Sequence, residues 1–385
     1  MGGIAFISTM EGYFWGGSEE LWSRAALRLA QSRVTVGANV THTAKTPPRL
    51  EELIDAGCQV TWRRDPENNP LFHRIRRKLK GDGVYQWLDT FQPDFAVISQ
   101  GGNWDGYEWM RECTRRGVPF VTIAQAATET FWPRLELSCA IVSAYEAAQA
   151  CFFVSERNVA LTRRQLVQPF PRARVVRNPF NVSYDAAPPW PSTDGVWRLA
   201  CVGRLEPHFK GQDILFDVLG RDTWRRRPIE VTLFGSGPNT ESLLALKKMM
   251  RLENVTYGGV AEDIEAVWAS HHALVLPSRI EGLPLVIVEA MLCGRPCIVT
   301  DVAGNAELVQ DNVSGFVAAA AAPDCLDEAM ERAWQRRDEW RQMGQAAARR
   351  VREMVPRDPI GAFLEQLRPL LPTTIATKIT TGMTQ

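Results

Sequence analysis

The sequence has no excess charge of either sign, because 44 Lys and Arg residues balance 44 Asp and Glu residues over 385 positions. A nucleic-acid-binding protein normally carries a basic domain or stripe, so this balance argues against nucleic acid as a partner. Long hydrophobic runs are also missing, and none approaches the roughly 18 apolar residues that a membrane-spanning helix needs. Met1 is not followed by a charged and then apolar leader of the secretory type.

Cysteine and histidine are too dispersed to indicate a metal site. The 8 cysteines form no Cys-x-x-Cys pair, and no histidine lies at metal-ligand spacing near Cys293 and Cys297. We therefore expect a reduced, cytoplasmic protein that uses neither a metal nor a cofactor.

Short apolar runs alternate with helical stretches along the chain, which is the pattern of parallel strands joined by crossover helices. The predicted strands are Ile4–Ile7, Val34–Val40, Phe95–Ile98, Phe120–Ile123 and Cys151–Val154 in the first half, and Leu199–Val202, Val231–Phe234, Val255–Tyr257, Ala273–Leu276 and Cys297–Thr300 in the second. This repetition predicts an α/β protein with two doubly wound, Rossmann-like domains. We expect the carboxyl ends of their strands to face one another across a cleft, where such folds bind ligands.

The prolines of Asp185–Gly195 disfavour both helix and strand, so we place the domain boundary there. The expected parts are an N-terminal domain over 1–180, a linker over 181–195 and a C-terminal donor-binding domain over 196–357. A helix over 358–372 is expected to return to the first domain. The threonine-rich segment 373–385 is expected to be a mobile tail.

Glu281 and Glu289 bracket the start of a predicted helix that follows a buried strand. Pro284 suits the first helical position, and the free N–H groups of a helix start favour a phosphate. Two carboxylates would repel that phosphate unless they face hydroxyl groups, so the segment predicts a ligand that carries both, such as a nucleotide sugar. The alternative is that Glu281 caps the helix and Glu289 lies on its solvated face.

Two cations follow the first strand of the second half. Arg204 stands at the end of that strand, and Lys210 returns beside Gly211 at a helix start. This arrangement is suited to hold a diphosphate, although a solvated basic loop is the alternative. The next strand ends at Gly235 and Ser236, in a glycine turn that lets the backbone bend sharply.

The first half offers a weaker pattern. Gly16 and Gly17 follow its first strand and would let backbone N–H groups approach a phosphate or a sugar. The motif is not Gly-x-Gly-x-x-Gly, which argues against a dinucleotide oxidoreductase. Asn103 and Trp104 end a later strand and are predicted to contact the acceptor, with Trp104 stacking on a sugar ring or else packed as an ordinary aromatic.

In its second half the chain resembles the retaining glycosyltransferases of family four, which have the GT-B architecture. The matching motifs are Gly203-Arg204 with Lys210-Gly211, Gly235-Ser236-Gly237, Pro277–Gly282 with Glu289-Ala290, Gly294-Arg295-Pro296 and Gly304–Glu307. The resemblance is strong over Leu199–Val317 and weak in the first half, where it rests on Gly16–Glu19, Val154-Ser155 and Asn178-Pro179.

The resemblance implies a metal-independent hexosyltransferase of polysaccharide or glycoconjugate biosynthesis. Such an enzyme moves a sugar with retention from a UDP-, GDP- or ADP-linked donor to a hydroxyl of a glycan, a lipid-linked sugar or a small molecule. Arg204 and Lys210 would bind the donor diphosphate, and Glu281 would contact hydroxyls of the transferred sugar. Glu289 would bind the ribose. The other donor-binding positions that the resemblance implies are Gly17, Gly235, Ser236, Val260, Gly282, Leu283, Pro284 and Leu285.

One position departs from the family. Members often have a histidine over the donor sugar where this chain has Gln125, an amide that bonds a hydroxyl but cannot take a proton at neutral pH. We keep Gln125 and Gly16 as candidate sugar contacts. The departure also leaves open a catalytically weak or inactive nucleotide-sugar-binding protein. A GT-B epimerase or phosphorylase is disfavoured, because the sequence places no histidine in the expected cleft.

The stretch Phe72–Lys80 is basic with interleaved apolar residues, including Arg74, Arg76, Arg77 and Lys78. It could rest on the anionic inner face of a membrane that presents a lipid-linked acceptor. A solvated helix face is the alternative that we favour, because most charge runs are of that kind.

Overall fold

A computed structural model of the chain describes residues 3–10, 15–42, 46–63, 83–192 and 194–382. These residues form two compact α/β units, each with its own apolar core. The first unit comprises the described residues up to Pro179 together with those from Asp358 onward, and the second unit is Phe180–Arg357. The prediction of two parallel-sheet domains is confirmed.

The sheet of the first unit contains seven parallel strands among the described residues, in the order β3-β2-β1-β4-β5-β6-β7. The strands are β1 (Ile4–Ser8), β2 (Val36–Thr41), β3 (Gln59–Arg63), β4 (Phe95–Gln100), β5 (Phe120–Ala124), β6 (Ala150–Phe153) and β7 (Ala173–Val175). The helices between them are α1 (Gly17–Gln31), α2 (Pro48–Asp55), α3 (Gln86–Phe91), α4 (Tyr107–Arg115), α5 (Leu135–Glu146) and α6 (Glu156–Leu166). The strand order reverses between β1 and β4.

The last helices of the chain complete the first unit. They are α16 (Pro359–Leu367) and α17 (Thr373–Gly382). Ile360, Phe363 and Leu364 recur on one face of α16 and are buried in the same core as the apolar face of α1. Asp358 caps α16 by accepting a hydrogen bond of 2.9 Å from the Gly361 N–H, and its carboxylate also pairs with Arg28 at 2.6 Å.

The segment that composition predicted to be a mobile tail is helical up to Gly382. Ile375 is 4% exposed and joins the core of the first unit. The threonines around it are polar, whereas Ile375 and the partly buried Ala376 pack against this core. The described part of this segment is therefore helical, and its mobility stays a prediction.

The second unit has six parallel strands among its described residues, in the order β10-β9-β8-β11-β12-β13. The strands are β8 (Trp197–Val202), β9 (Ile229–Phe234), β10 (Val255–Gly259), β11 (Ala273–Leu276), β12 (Cys297–Thr300) and β13 (Gly315–Ala318). The helices are α7 (Pro207–Lys210), α8 (Gln212–Leu219), α9 (Asp222–Arg225), α10 (Thr240–Met249), α11 (Ile264–Ser270), α12 (Leu285–Leu292), α13 (Asn305–Leu308), α14 (Pro323–Gln335) and α15 (Trp340–Met354). Here the order reverses between β8 and β11.

The proline-rich segment expected to be a linker is anchored to the second unit. The buried Arg295 guanidinium donates to the Pro189 carbonyl at 2.6 Å and lies 5.0 Å from the centre of the Trp190 ring. The Tyr184 hydroxyl donates to the Arg352 carbonyl at 2.8 Å. Proline lacks an N–H group but keeps its carbonyl, so this irregular segment is held by a proline carbonyl and by side chains rather than by a regular backbone ladder.

Candidate functional site

The predicted site residues of the second unit gather at the carboxyl ends of β8 and β11. These are the strands between which the order reverses, and open α/β sheets bind ligands at such a point. The loop after β8 carries Arg204 and Lys210, and the loop after β11 carries Glu281. The strand pairing therefore brings residues more than 70 positions apart to one place.

Lys210 and Glu281 form an ion pair. The Lys210 Nζ lies 2.6 Å from Glu281 Oε1, which also accepts a hydrogen bond of 2.7 Å from the Ser278 hydroxyl. The Lys210 side chain is 20% exposed and that of Glu281 is 7% exposed. The pair is thus fixed in position yet reachable from solvent on the lysine side.

Arg204 lies on the same loop as Lys210. Its Nη1 is 3.2 Å from Glu206 Oε2, and its carbonyl accepts a hydrogen bond of 2.8 Å from the Gln212 side chain. The Arg204 side chain is 28% exposed. The loop consequently presents two cationic groups, each next to a carboxylate, at the end of β8.

Glycines allow the loops after β8, β9 and β10 to touch one another. Gly235 has φ +128, and a Cβ there would overlap the Gly203 carbonyl oxygen. Its N–H donates to the Gly259 carbonyl at 2.7 Å, and the Leu205 N–H donates to the Ser236 carbonyl at 3.1 Å. The two predicted donor-binding positions Gly235 and Ser236 therefore lie beside the loop that carries Arg204.

Helix α12 begins one residue later than predicted. Pro284 is its N-cap, with ψ 123, and Leu285 is its first residue. Gly282, Leu283 and Pro284 are buried, and the Gly282 carbonyl accepts a hydrogen bond of 2.9 Å from the Gly304 N–H. Within the described part of the chain, no side chain caps this helix start. Its first N–H groups stay available for an anion at the carboxyl end of β11.

Glu289 is 3% exposed, and sequence reasoning missed the partner that holds it. Both the backbone N–H and the side-chain amide of Asn181 donate to Glu289 Oε1 at 3.0 Å. This double contact fixes the carboxylate and contradicts the alternative of a solvated helix face. The ribose contact of Glu289 stays a prediction.

Val260 directly follows the carboxyl end of β10. It is 65% exposed, and nearby Tyr257 is 40% exposed while its hydroxyl donates to the Gly235 carbonyl at 3.1 Å. An exposed apolar side chain next to a glycine loop provides a surface for a flat ring. Its nucleobase role remains a prediction.

In the first unit, Gly16 is the N-cap of α1 and Gly17 is its first residue. The buried carboxyl of Glu19 accepts hydrogen bonds from the Ser8 hydroxyl at 3.0 Å and from the Trp22 indole at 2.7 Å. Burial raises the pKa of Glu19 to about 7, and these two hydrogen bonds oppose the rise. Glu19 thus joins the end of β1 to the glycine turn.

Gln125 is 5% exposed and follows β5. Its Oε1 accepts a hydrogen bond of 2.8 Å from the Asn178 amide, whereas its Nε2 has no partner among the described residues. An unpaired buried donor is costly, so this amide has an unused capacity to bond a hydroxyl group.

The predicted acceptor contacts Asn103 and Trp104 lie in the loop after β4. The Asn103 side chain is 2% exposed and donates to Thr162 and Gln165 of α6, both at 2.8 Å. Trp104 packs on Phe131 with ring centroids 4.6 Å apart. The Asn103 amide thus ties this loop to α6, whereas Trp104 is only partly buried. Contact of either residue with an acceptor stays a prediction.

The basic stretch around Arg74 lies outside the described residues. Within the residues that the structure describes, none of the helices combines the length and the apolar composition required to cross a membrane.

Comparison with known proteins agrees with this geometry. The family model for glycosyl transferases group 1 matches residues 197–336. The lipopolysaccharide 1,6-galactosyltransferase of Salmonella typhimurium is 30% identical over 318 residues, covering 75% of this chain and 82% of that protein. Its Escherichia coli counterpart is 30% identical over 153 residues, so the matched part spans 37% of this chain and 41% of the length of that relative.

The fold has a solved counterpart. The structure of the Anabaena protein HepE in complex with UDP has a TM-score of 0.70 at 17% identity and covers 95% of this chain and 99% of that one. Two parallel-sheet units together with this likeness define the structural class of the protein, the GT-B fold. The chain belongs to the family of group 1 glycosyl transferases.

Proposed function

We propose that this chain transfers a hexose from a nucleoside-diphosphate donor to a hydroxyl group of a carbohydrate or lipid-linked acceptor, with retention and without a metal. The observation that carries the proposal is the 2.6 Å contact between Lys210 and Glu281 at the carboxyl ends of β8 and β11. Arg204 stands on the same loop as Lys210, and a charged pair beside a second cation suits a ligand with both phosphate and hydroxyl groups.

In such a reaction the two cations would stabilise the leaving diphosphate. When the bond between the sugar and the diphosphate breaks, negative charge develops on the leaving oxygen. Arg204, Lys210 and the start of α12 would stabilise that charge, since all three follow the carboxyl ends of β8 and β11. The leaving oxygen can take the proton of the acceptor hydroxyl on the same face, so the new bond forms with retention and without an obligatory side-chain base.

Glu281 has the geometry of a sugar contact. Both of its described hydrogen bonds reach Oε1, from Lys210 and from Ser278. The other oxygen, Oε2, is left to accept a hydrogen bond from a sugar hydroxyl. Glu289, held by Asn181, would bind the ribose, and Val260 would cover the nucleobase.

Two of the comparisons support a choice of donor and acceptor to test. HepE was solved with UDP, and the Salmonella relative is named as a galactosyltransferase of lipopolysaccharide. We infer a UDP-hexose as the first donor to test and a lipid-linked or polymeric glycan as the acceptor. A cytoplasmic location, peripheral on the inner membrane face, forms part of the same proposal and rests on the eight free cysteines and on the class of acceptor.

A nucleotide-sugar-binding protein without transfer activity is the second candidate. The observation that favours it is Gln125, an amide that cannot take up a proton at neutral pH, at the position where the resemblance implies a histidine. The Nε2 of Gln125 has no partner among the described residues and could donate to a sugar hydroxyl. Donor binding without transfer would be enough to make that hydrogen bond.

A thermal-shift screen against UDP, GDP, ADP and their hexoses identifies the donor. A ligand at 100 times its dissociation constant stabilises the native state by about 2.7 kcal/mol. Transfer and hydrolysis assays with that donor, with and without a chelator, then test activity and metal independence, and the anomeric configuration of the product tests retention. Binding without turnover would select the second candidate, and no shift with any nucleotide would reject both.

A further inference from the structure

A second ion pair stands beside the pair formed by Lys210 and Glu281. Arg279 Nη1 donates to Asp213 Oδ1 at 2.6 Å, and Nη2 donates to Asp213 Oδ2 at 2.7 Å. Two parallel hydrogen bonds between a planar guanidinium and a carboxylate fix orientation as well as distance. Asp213 follows Lys210 by three positions, and Arg279 precedes Glu281 by two.

The segment around Arg279 makes further bonds to α7, the short helix that ends with Lys210. Arg279 Nη1 also donates to the Pro207 carbonyl at 2.8 Å. The backbone N–H groups of Arg279 and Ile280 both donate to the Phe209 carbonyl, at 2.8 and 3.2 Å. The loop that carries Glu281 is therefore bound to both ends of α7.

The junction of α7 and α8 leaves little freedom of adjustment. Gly211 has φ +65, and a Cβ there would overlap the Pro277 carbonyl oxygen. The next two residues begin α8, and their side chains contact different loops. The Gln212 side chain donates to the Arg204 carbonyl at 2.8 Å, and the Asp213 carboxylate accepts hydrogen bonds from Arg279.

We infer that Asp213 and Arg279 are a positioning pair that sets the location of the Lys210 ammonium relative to the Glu281 carboxylate, without touching the donor. The inference rests on the proposed function of that site. Lysine carries its charge on four flexible methylene groups, so its own ion pair defines distance but not orientation. The rigid two-point contact between Asp213 and Arg279 supplies the orientation.

This role predicts an effect on rate rather than on stability. The side chains of Arg279 and Asp213 are 34% and 37% exposed, and ion pairs this open to water contribute little to folding. A displacement of about 1 Å in an active site, by contrast, can slow a reaction about 100-fold.

The chain contains a matched control. Arg221 makes ion pairs of 2.6 Å with Asp324 and with Asp327, and its side chain is 36% exposed. It lies beyond the other end of α8, away from the loops that carry Lys210 and Glu281. Arg221→Ala removes a comparable interaction from the same unit.

The test measures kcat, KM for the donor and Tm for Arg279→Ala, Asp213→Ala, the double variant and Arg221→Ala. Each of the two single variants at the pair is expected to lower kcat about 10- to 100-fold, with KM changed less than about threefold. Their Tm should fall by no more than about 2–4 °C. The double variant should be no slower than the slower single variant, because both remove one interaction.

Two rescue measurements separate positioning from structure. Millimolar guanidinium, far below denaturing concentrations, should restore part of the rate of Arg279→Ala and leave that of Arg221→Ala unchanged. Arg279→Lys, which keeps the charge but loses the two-point contact, should fall between wild type and Arg279→Ala.

The outcomes distinguish this inference from the proposed function. A wild-type rate for Arg279→Ala in a protein that transfers sugar would overturn the inference alone, as would multiplicative losses in the double variant. A wild-type protein that transfers no sugar, or a Lys210→Ala variant as fast as wild type, would reject the proposed use of the site and the positioning role with it.

Discussion

Removal of the Lys210 ammonium is the most informative perturbation of the candidate site. In Lys210→Ala the Glu281 carboxylate keeps the hydrogen bond of 2.7 Å from Ser278 but loses its counter-charge at 2.6 Å. We expect two separate consequences, a loss of stability from the unpaired carboxylate and a loss of turnover from the missing cation.

The contact distance allows the size of each effect to be estimated. At 2.6 Å and an effective dielectric constant of about 20, the attraction between the charges is about 6 kcal/mol before the cost of desolvation is subtracted. Since Lys210 is 20% exposed and Glu281 7%, the net loss of unfolding free energy should lie between that of exposed and fully buried pairs, at about 1–3 kcal/mol. The loss of a preorganised cation should lower kcat about 10²–10³-fold, equivalent to about 2.7–4 kcal/mol in the transition state.

A double variant separates the two effects. Lys210→Ala combined with Glu281→Gln leaves no unpaired charge, so most of the lost stability should return while transfer stays slow. Denaturant unfolding and steady-state transfer from the donor found by thermal shift measure the two quantities, and Lys248→Ala, an exposed lysine of the same unit, serves as control. A Lys210→Ala variant with kcat within about threefold of wild type would refute the reasoning.

Three further changes probe other parts of the chain. Glu281→Gln should slow transfer and leave UDP affinity within a few-fold of wild type by calorimetry, and a large loss of affinity would instead give Glu281 a structural role. Gly235→Ala should cost more than about 1 kcal/mol of stability and abolish UDP binding, because its φ is +128 and a Cβ would overlap the Gly203 carbonyl, so an unchanged Tm would contradict this packing. Burial raises the pKa of Glu19 from 4.5 to about 7, so its contribution to stability is complete below pH 4.5 and is lost as pH rises through about 7. The Tm of wild type relative to Glu19→Gln should accordingly fall over that interval, and parallel curves would exclude the effect.

The interior strands of both sheets could be predicted from sequence, because strands buried on both faces are short continuous apolar runs. The predicted strand Ala273–Leu276 coincides with β11, and Ile4–Ile7 lies within β1. The edge strand β3, Gln59–Arg63, was missed because it has one partner strand and only partial burial. The edge strand β7 has three residues, too few to show a period.

The candidate site was predictable as far as it depends on strand ends. Arg204, Lys210 and Glu281 follow β8 and β11 directly, and parallel strands bring their carboxyl ends to one edge. The partners that fix these residues were not predictable, since Asn181 and Glu289 are 108 positions apart and Asp213 and Arg279 are 66 apart. Such pairs are set by how whole elements pack, which local sequence does not encode.

The return of α16 to the first unit has a consequence for the order in which the polypeptide folds during translation. The core of that unit needs Phe363 and Leu364, which leave the ribosome after the entire second unit has been made. The unit Phe180–Arg357 can thus form its own core first, although it comes later in the chain. Until α16 has been made, the residues up to Pro179 keep an apolar face exposed. We therefore expect chaperones that shield hydrophobic surface to bind this part of the chain during synthesis.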